Sequence, residues 1–462
     1  MPAGHGEIQS VNPANLSDRI GVFRWSLPAA DAAVARARKT FGAWSCLPPA
    51  HRVRALVRFR QILARQGDAL AWSICRETGK AIREAREEAQ LLLSKIDVTL
   101  ETAKLELAAP AAGPDAYCVY RPYGVCAVLG PFNFPLHLPQ GHIVPALLAG
   151  NTVVFKPSDK SCRTGLLYAD CAARAGFPRG VLNVVCGPGA VGERLAAHPD
   201  VSAVLFTGSY AVGQRLKSIA HDPPDKLLAL EMGGKNAAVV FADADLSQAA
   251  AECAQSAFAT AGQRCTSTSR IFVERGAFDE FCDKFVSLAR TFQVGDPADP
   301  EIFCGPLISA DAACRAESAI REARRLGGRP LLAGGRFDTA RGHFVRLSAH
   351  RFDRYPGRRR YTSEELFVPE VGLYPFGDAA EAIARVEDTD YGLALSVFTR
   401  RRPVFEKMLN ETTHGIVNWN VGTIGASGRL PFGGRKKSGN ARPAARFSIR
   451  NCVYPVAGRA AP

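Results

Sequence analysis

The sequence predicts an α/β protein built from two sheet-containing units, and three observations lead there. Short apolar runs at 125–129, 152–155 and 203–206 read as fully buried strands. Helical stretches separate them at the spacing of parallel strands covered on both faces. A second series of the same kind follows Glu231. With 462 residues, two or three domains with full hydrophobic cores are expected.

In chain order, Asn12-Pro13-Ala14 marks a turn. An amphipathic helix begins at Asp31, with Ala33, Val34, Ala37, Phe41 and Trp44 on one face, and Pro48-Pro49 ends it. Helices follow over 51–77 and 81–107, then a linker over 108–114 and a strand over 117–121. Strands at 125–129, 152–155, 181–185, 203–206 and 227–230 alternate with helices at 142–148, 163–175, 191–197 and 212–219. Nucleotides bind such a sheet beyond the carboxyl ends of its strands. The second unit takes strands at 238–241, 271–273, 371–376 and 395–398, with helices at 248–260, 278–290 and 311–325. The tail over 447–456 reads as a strand returning to the first unit or to a partner subunit.

Composition excludes several functions. Hydrophobic content of 47% with 22% charged residues is that of a soluble globular protein, and no run of about 20 apolar residues suggests a membrane span. No secretory leader is visible. The 13 cysteines form no Cys-x-x-Cys pairs, so free thiols in a reducing cytoplasm are expected, with no metal site. The net charge of +14 could attract nucleic acid or anionic substrates. No nucleic-acid-binding motif accompanies it, so it reads as a solvated basic surface without a nucleic-acid partner.

The residues that carry chemistry lie where strands or helices end. Cys265, in Gly262-Gln263-Arg264-Cys265-Thr266, sits between a helix and a strand, and Glu231 opens the glycine-rich turn Glu231-Met232-Gly233-Gly234. A thiol and a carboxylate so placed can perform covalent catalysis followed by hydrolysis. Taken alone, Cys265 could equally be a small buried apolar residue. Gly208, Ser209, Tyr210, Ala211, Val212 and Gly213 follow a strand and open a helix whose free N–H groups suit an anion, though a plain strand-to-helix turn has the same pattern. Lys156, Ser158 and Asp159 end another strand and could hold ribose hydroxyls, or form a surface turn. Asn133 could donate to an oxyanion, or serve a turn.

Together these segments resemble the aldehyde dehydrogenase superfamily over essentially the whole chain. The resemblance rests on GPFNFP around Asn133, FKPSD around Lys156, FTGSYAVG, LEMGGKN, GQRCT, EELFVPE and Pro431-Phe432-Gly433-Gly434, in that order, with Glu77-Thr78-Gly79-Lys80. The stretches 138–150, 415–420 and Ser438-Gly439-Asn440 are most similar to the N-succinylglutamate 5-semialdehyde dehydrogenase branch of arginine catabolism.

The resemblance implies a Rossmann-like dinucleotide-binding domain (1–113 and 124–230), a catalytic α/β domain (231–415), a return segment (416–444) and a small β oligomerisation extension (114–123 and 445–458). It implies Cys265 as nucleophile, Glu231 as the base that activates water, and Asn133 as oxyanion donor. Lys156, Ser158, Asp159, Gly208, Ser209, Tyr210, Ala211, Val212, Gly213, Gly233, Glu365 and Phe367 would border the cofactor. NAD is the implied cofactor, with NADP as the alternative, and the partners are an anionic small-molecule aldehyde and a homodimer or homotetramer. Glu231 favours hydrolysis over transfer to coenzyme A. The Cys265 thiol is expected either to have a lowered pKa or to lose its proton to a base.

Three departures stand out. Asp159 replaces a common Glu, Val368 replaces a common Gly, and no short strand pair is expected before Asn12-Pro13. Two other functions fit the same residues: a dehydrogenase of a different aliphatic or aromatic aldehyde, and a non-catalytic binding protein on the same fold.

Overall fold

The computed structural model describes residues 4–108, 115–220 and 222–459. Apart from Ala108, the expected linker at 108–114 lies outside the described residues. The chain opens with an antiparallel hairpin, β1 (His5–Asn12) and β2 (Asn15–Ser26), turning where Asn12 Oδ1 accepts the Ala14 N–H at 2.9 Å. Among the described residues a single strand precedes Asn12-Pro13 and pairs with β2 beyond the turn, a hairpin the sequence reading did not include; Ser10 is the one fully buried residue of β1, so no apolar alternation marks the strand.

Helices α1 (Leu27–Ser45), α2 (Pro49–Arg65), α3 (Gly67–Thr78) and α4 (Ile82–Glu106) follow. Helix α1 starts earlier than Asp31 because the Ser26 hydroxyl caps it, accepting the Ala29 N–H at 3.2 Å. Ala33, Val34, Ala37 and Trp44 are buried on the expected face. The helix expected over 51–77 is divided at Gln66-Gly67, where glycine is the weakest helix former after proline.

Strand β3 (Ala116–Pro122) stands apart from the first sheet. That sheet takes β4 (Val125–Leu129), β5 (Thr152–Lys156), β6 (Leu182–Val184), β7 (Val201–Thr207) and β8 (Leu227–Glu231), all parallel, in the order β6-β5-β4-β7-β8. Between the strands run α5 (His137–Ala149), α6 (Cys162–Arg174), α7 (Gly189–Ala197) and α8 (Tyr210–Ile219). The chain moves outward from β4 to β6 and then returns to β7, so the switch point opens between the carboxyl ends of β4 and β7.

The second sheet contains β9 (Asn236–Val240), β10 (Thr268–Glu274), β11 (Arg329–Ala333), β12 (Ser348–Arg351), β13 (Glu370–Phe376), β15 (Ala394–Phe398) and β16 (Ile416–Trp419). Their order is β11-β12-β13-β10-β9-β15-β16, antiparallel only between β11 and β12. Helices α9 (Leu246–Phe258), α10 (Phe278–Ala289), α11 (Ala310–Arg325), α12 (Arg360–Ser363), α13 (Ala379–Glu387) and α14 (Arg402–Glu411) connect them, with the short β14 (Tyr391–Gly392) before β15. Then come β17 (Pro431–Phe432), β18 (Arg435–Lys436), β19 (Ala444–Ala445) and β20 (Val453–Arg459), the last antiparallel to β3. Among the described residues no helix is long and apolar enough to cross a membrane.

Three expected boundaries need correction. Glu231 belongs to the first sheet, paired with Thr207, so the passage between sheets begins after it. Residues 416–419 extend the second sheet beside β15, and β18 pairs with β14, so the segment 416–444 does not simply return to the first unit. The tail is not extended from 445. Residues Arg446–Cys452 form a 3-10 turn that buries Ile449 and Cys452, three residues apart, in the first core before β20 starts.

Candidate active site

Cys265 lies in the loop between α9 and β10, and that loop has unusual backbone geometry. Thr260, Ala261 and Gly262 are consecutive left-handed residues (φ 54°, 53° and 70°). A side chain at Gly262 would strike the Val368 carbonyl oxygen at 2.3 Å, so glycine is required both for its φ and for close packing on the 365–368 segment. Strain of this kind persists only where surrounding contacts over-determine it.

Those contacts come from three directions. From β9, the Asn236 amide donates to the Cys265 carbonyl at 2.8 Å and to the Ser267 carbonyl at 2.9 Å, while its oxygen accepts the Ala394 N–H at 3.0 Å. From α4, the Glu84 carboxylate accepts from Thr260 N and Thr260 Oγ1 (3.1 Å each) and from Arg264 (2.7 Å). From the loop after β4, Asn133 Nδ2 donates to the Gln263 carbonyl at 2.8 Å. That is its one hydrogen bond among the described residues, so a second N–H remains to be offered.

Glu231 ends β8 and is 4% exposed. Its Oε2 is buried without a protein partner among the described residues. Burial lifts the carboxyl well above the usual carboxylate range, against the opposing pull of the Ala444 and Gly434 N–H groups. Cys265 and Glu231 line one cavity of about 410 Å³, together with Thr207, Met232, Phe134 and Phe432. The thiol is pushed up to about 12, first by burial and then by the Glu365 and Glu231 carboxylates. The expectation of a thiol with lowered pKa is therefore not met by the protein alone. A base must take the proton.

The residues expected around a dinucleotide lie along the carboxyl edge of the first sheet and across to the second. Lys156 closes β5, with its Nζ donating to the Pro157 carbonyl at 2.9 Å. Ser158 Oγ donates to Asp159 at 3.3 Å, and Asp159 also faces Lys160 at 3.8 Å. Ser209 caps α8 by accepting the Val212 N–H at 3.4 Å, while the first N–H groups of that helix have no intrahelical acceptor. Side chains at Gly208 or Gly213 would collide at 2.4 Å with the Phe206 ring or Met232 Sδ, so this turn packs backbone against side chain. Ala211 and Val212 are exposed, and Lys437 stands over the Tyr210 ring at 5.1 Å.

Glu365 accepts the Gly234 N–H at 3.0 Å and would occupy the space of any side chain at Gly233. Burial raises its carboxyl to about 7. Phe367 has φ 57° and meets Phe132 edge-on at 6.0 Å. A lysine with unused protons at one end, a carboxylate with one free oxygen at the other and a helix N-terminus between them fit a dinucleotide. Among the described residues no cluster of three or more His, Cys, Asp or Glu forms a metal site.

Sequence reasoning missed Asn236, Glu84 and Lys95. Asn236 stands two residues after Gly234 of the Gly-Gly turn, inside the LEMGGKN motif. Glu84, Glu88 and Lys95 were legible as charges at helical spacing on α4, a helix whose pattern speaks for packing alone.

Residues 1–455 match the aldehyde dehydrogenase family. The chain is 42% identical over 431 residues to an N-succinylglutamate 5-semialdehyde dehydrogenase of Burkholderia mallei, covering 92% of this chain and 88% of that protein. It is 38% identical over 463 residues to the enzyme so named in Novosphingobium aromaticivorans, covering 98% and 95%. The solved NAD-dependent aldehyde dehydrogenase from Sinorhizobium meliloti superposes with TM-score 0.93 at 30% identity, covering 98% of this chain and 91% of its own. With a matching family model, a matching fold and sequence identity along nearly its whole length, the chain belongs to the aldehyde dehydrogenase family.

Proposed function

We propose that this protein oxidises N-succinyl-L-glutamate 5-semialdehyde to N-succinyl-L-glutamate with NAD+, through a thioester on Cys265 that water resolves. The observation that supports this chemistry most directly is the shared cavity, where one thiol and one buried carboxyl with a free oxygen face the same space. The substrate assignment rests on the likeness to the Burkholderia and Novosphingobium enzymes.

In this reading Cys265 Sγ attacks the aldehyde carbon after its proton passes through cavity water to bulk solvent, which leaves the Glu231 carboxylate free for the later hydrolysis. The spare Asn133 N–H and the Cys265 backbone N–H receive the oxyanion. One such donor is worth roughly 100- to 1000-fold in rate. Lys156 and Glu365 hold ribose hydroxyls, the α8 N-terminus faces the pyrophosphate with Gly208, Ser209 and Gly213, and Phe367 flanks the nicotinamide. Bound there, the cofactor supplies the hydride acceptor and a positive charge. Glu231 then takes a proton from water, which attacks the thioester carbon, and the Cys265 thiolate leaves with the acid formed. A base so placed contributes about 100- to 10,000-fold. Asp159 would repel a ribose 2′-phosphate, which favours NAD over NADP.

The β3–β20 ribbon exposes Tyr117, Val119 and Tyr454. We assign it to the interface of a homodimer or homotetramer, to be read by light scattering. The deciding assay is NADH formation from a panel of aldehydes. The succinylated semialdehyde should give the highest kcat/KM, and an equal or higher value with a neutral aliphatic or aromatic aldehyde would overturn the assignment.

A further inference from the structure

The cavity carries more nitrogen than its chemistry uses. Five basic side chains line it: Lys95, His137, His142, Arg264 and Arg429. Two are already committed, Arg264 to Glu84 and Arg429 to Glu101. The Lys95 ammonium makes no hydrogen bond or ion pair among the described residues, while the residue's backbone carbonyl accepts the Thr99 hydroxyl at 2.8 Å. Of the carboxylates on α4, Asp97 pairs with Arg60 and Glu101 with Arg429, while Glu87 also lines the cavity but makes no ion pair with Lys95 among the described residues. Glu88 pairs with the buried Lys80 and accepts the Leu136 and His137 N–H groups at 3.1 Å each, and Glu84 holds the cysteine loop.

The space beside the ammonium is kept open by two glycines. A Cβ at Gly141 would sit 3.7 Å from Lys95 Nζ, and one at Gly428 would sit 3.9 Å away. His142, 2% exposed on the adjoining helix α5, has its Nδ1 buried without a partner, and so does His137. Burial and the neighbouring Lys95 hold His142 down to about 4, so it is a neutral imidazole with one nitrogen unspent. Burial alone lowers Lys95 to about 8, which leaves it mostly cationic near neutrality. An unpaired cation and unpaired imidazoles around a glycine-lined space lack an acceptor, and a carboxylate is the group that supplies one.

We propose that Lys95 is the specificity-determining residue of this enzyme: its ammonium, flanked by Gly141, Gly428 and His142, receives a substrate carboxylate remote from the aldehyde. The inference deepens, and rests on, the reading of the substrate as an anionic semialdehyde. Lys95 stands eleven residues beyond Glu84 on α4, about 16 Å along the helix axis. Since Glu84 holds the cysteine loop, the cation lies well along the cleft from the reacting carbon. That separation suits an extended acyl chain ending in a carboxylate.

The test uses the full-length enzyme with NAD+ and three aldehydes: the succinylated semialdehyde, a simple ω-carboxy aldehyde and hexanal. Lys95→Met should cut the ratio of kcat/KM for carboxylated over neutral aldehydes roughly 10- to 100-fold, mainly through KM, as expected for loss of one charge-assisted bond. Lys95→Arg should recover part of that ratio. Circular dichroism and the thermal midpoint confirm that each variant is folded, and calorimetry of N-succinylglutamate binding reads the same loss without turnover. An unchanged ratio in a folded Lys95→Met enzyme that still prefers the succinylated substrate would overturn the role of Lys95 and leave the substrate reading standing. Failure with the succinylated compound, but Lys95-dependent preference for the simple ω-carboxy aldehyde, would support the role of Lys95 and overturn the succinylated substrate. No preference for any carboxylated aldehyde in the wild type would overturn both.

Discussion

Asn236 holds the carbonyl of Cys265 at 2.8 Å, so the first residue of β9, an inner strand of the second sheet, fixes the backbone of the nucleophile. Its amide oxygen is also used, by Ala394 on the neighbouring strand. The loop that must tolerate three left-handed residues is thereby pinned to a fully buried strand. Asn236→Ala should leave two carbonyls without a donor, at about 1–3 kcal/mol each where they are buried. Because a displacement of about 1 Å can cost on the order of 100-fold, kcat should fall by that order while NAD+ affinity changes little. Stopped-flow kinetics and cofactor titration check this, and an unchanged kcat would remove the positioning role.

Glu231→Gln should separate the two half-reactions. NADH should still appear in a burst of about one equivalent per site, whereas steady turnover should fall roughly 100- to 10,000-fold. Intact mass spectrometry of the quenched variant should show the acyl group on Cys265. A variant with full steady turnover would assign water activation to another group.

The raised thiol makes a pH prediction with a definite sign. A thiol near 12 is protonated and inert below that value, and each unit of rising pH increases the thiolate about tenfold. Alkylation of Cys265 by iodoacetamide in the cofactor-free protein should therefore climb steadily from pH 7 to 9, followed by peptide mass spectrometry because 13 cysteines are present. Glu365→Gln removes a like charge and should accelerate alkylation at pH 8 several-fold. A rate that levels off below pH 7 would mean that the protein itself lowers the thiol pKa.

Lys80 and Glu88 form an ion pair with side chains 1% and 0% exposed. Glu88 also binds the first N–H groups of α5, and Lys80 rests on the Phe134 ring at 3.6 Å. Glu88→Ala strands a buried ammonium and should cost about 3–5 kcal/mol. Denaturant unfolding measures it, and a loss below ~1 kcal/mol would show that water relieves the charge.

The sequence alone determined the alternation of strands and helices, and with it the positions of Cys265, Glu231, Asn133 and Lys156 at strand or helix ends. Apolar runs and glycine turns act over a few residues, so their meaning is local. The strands at 125–129 and 371–376 were legible for that reason. The hairpin at 5–26 was not, because its mostly polar residues are stabilised by pairing and by Ser10 on the distant Glu77. Likewise the tail turns before it extends, since Ile449 and Cys452 must reach the first core. Only the tertiary structure decided the chemistry of the cleft. The thiol pKa depends on burial and on carboxylates at 231 and 365, and the commitment of Arg264 and Arg429 leaves Lys95 unpaired among the described residues. Burial and long-range pairing belong to the folded molecule, and no window of sequence contains them.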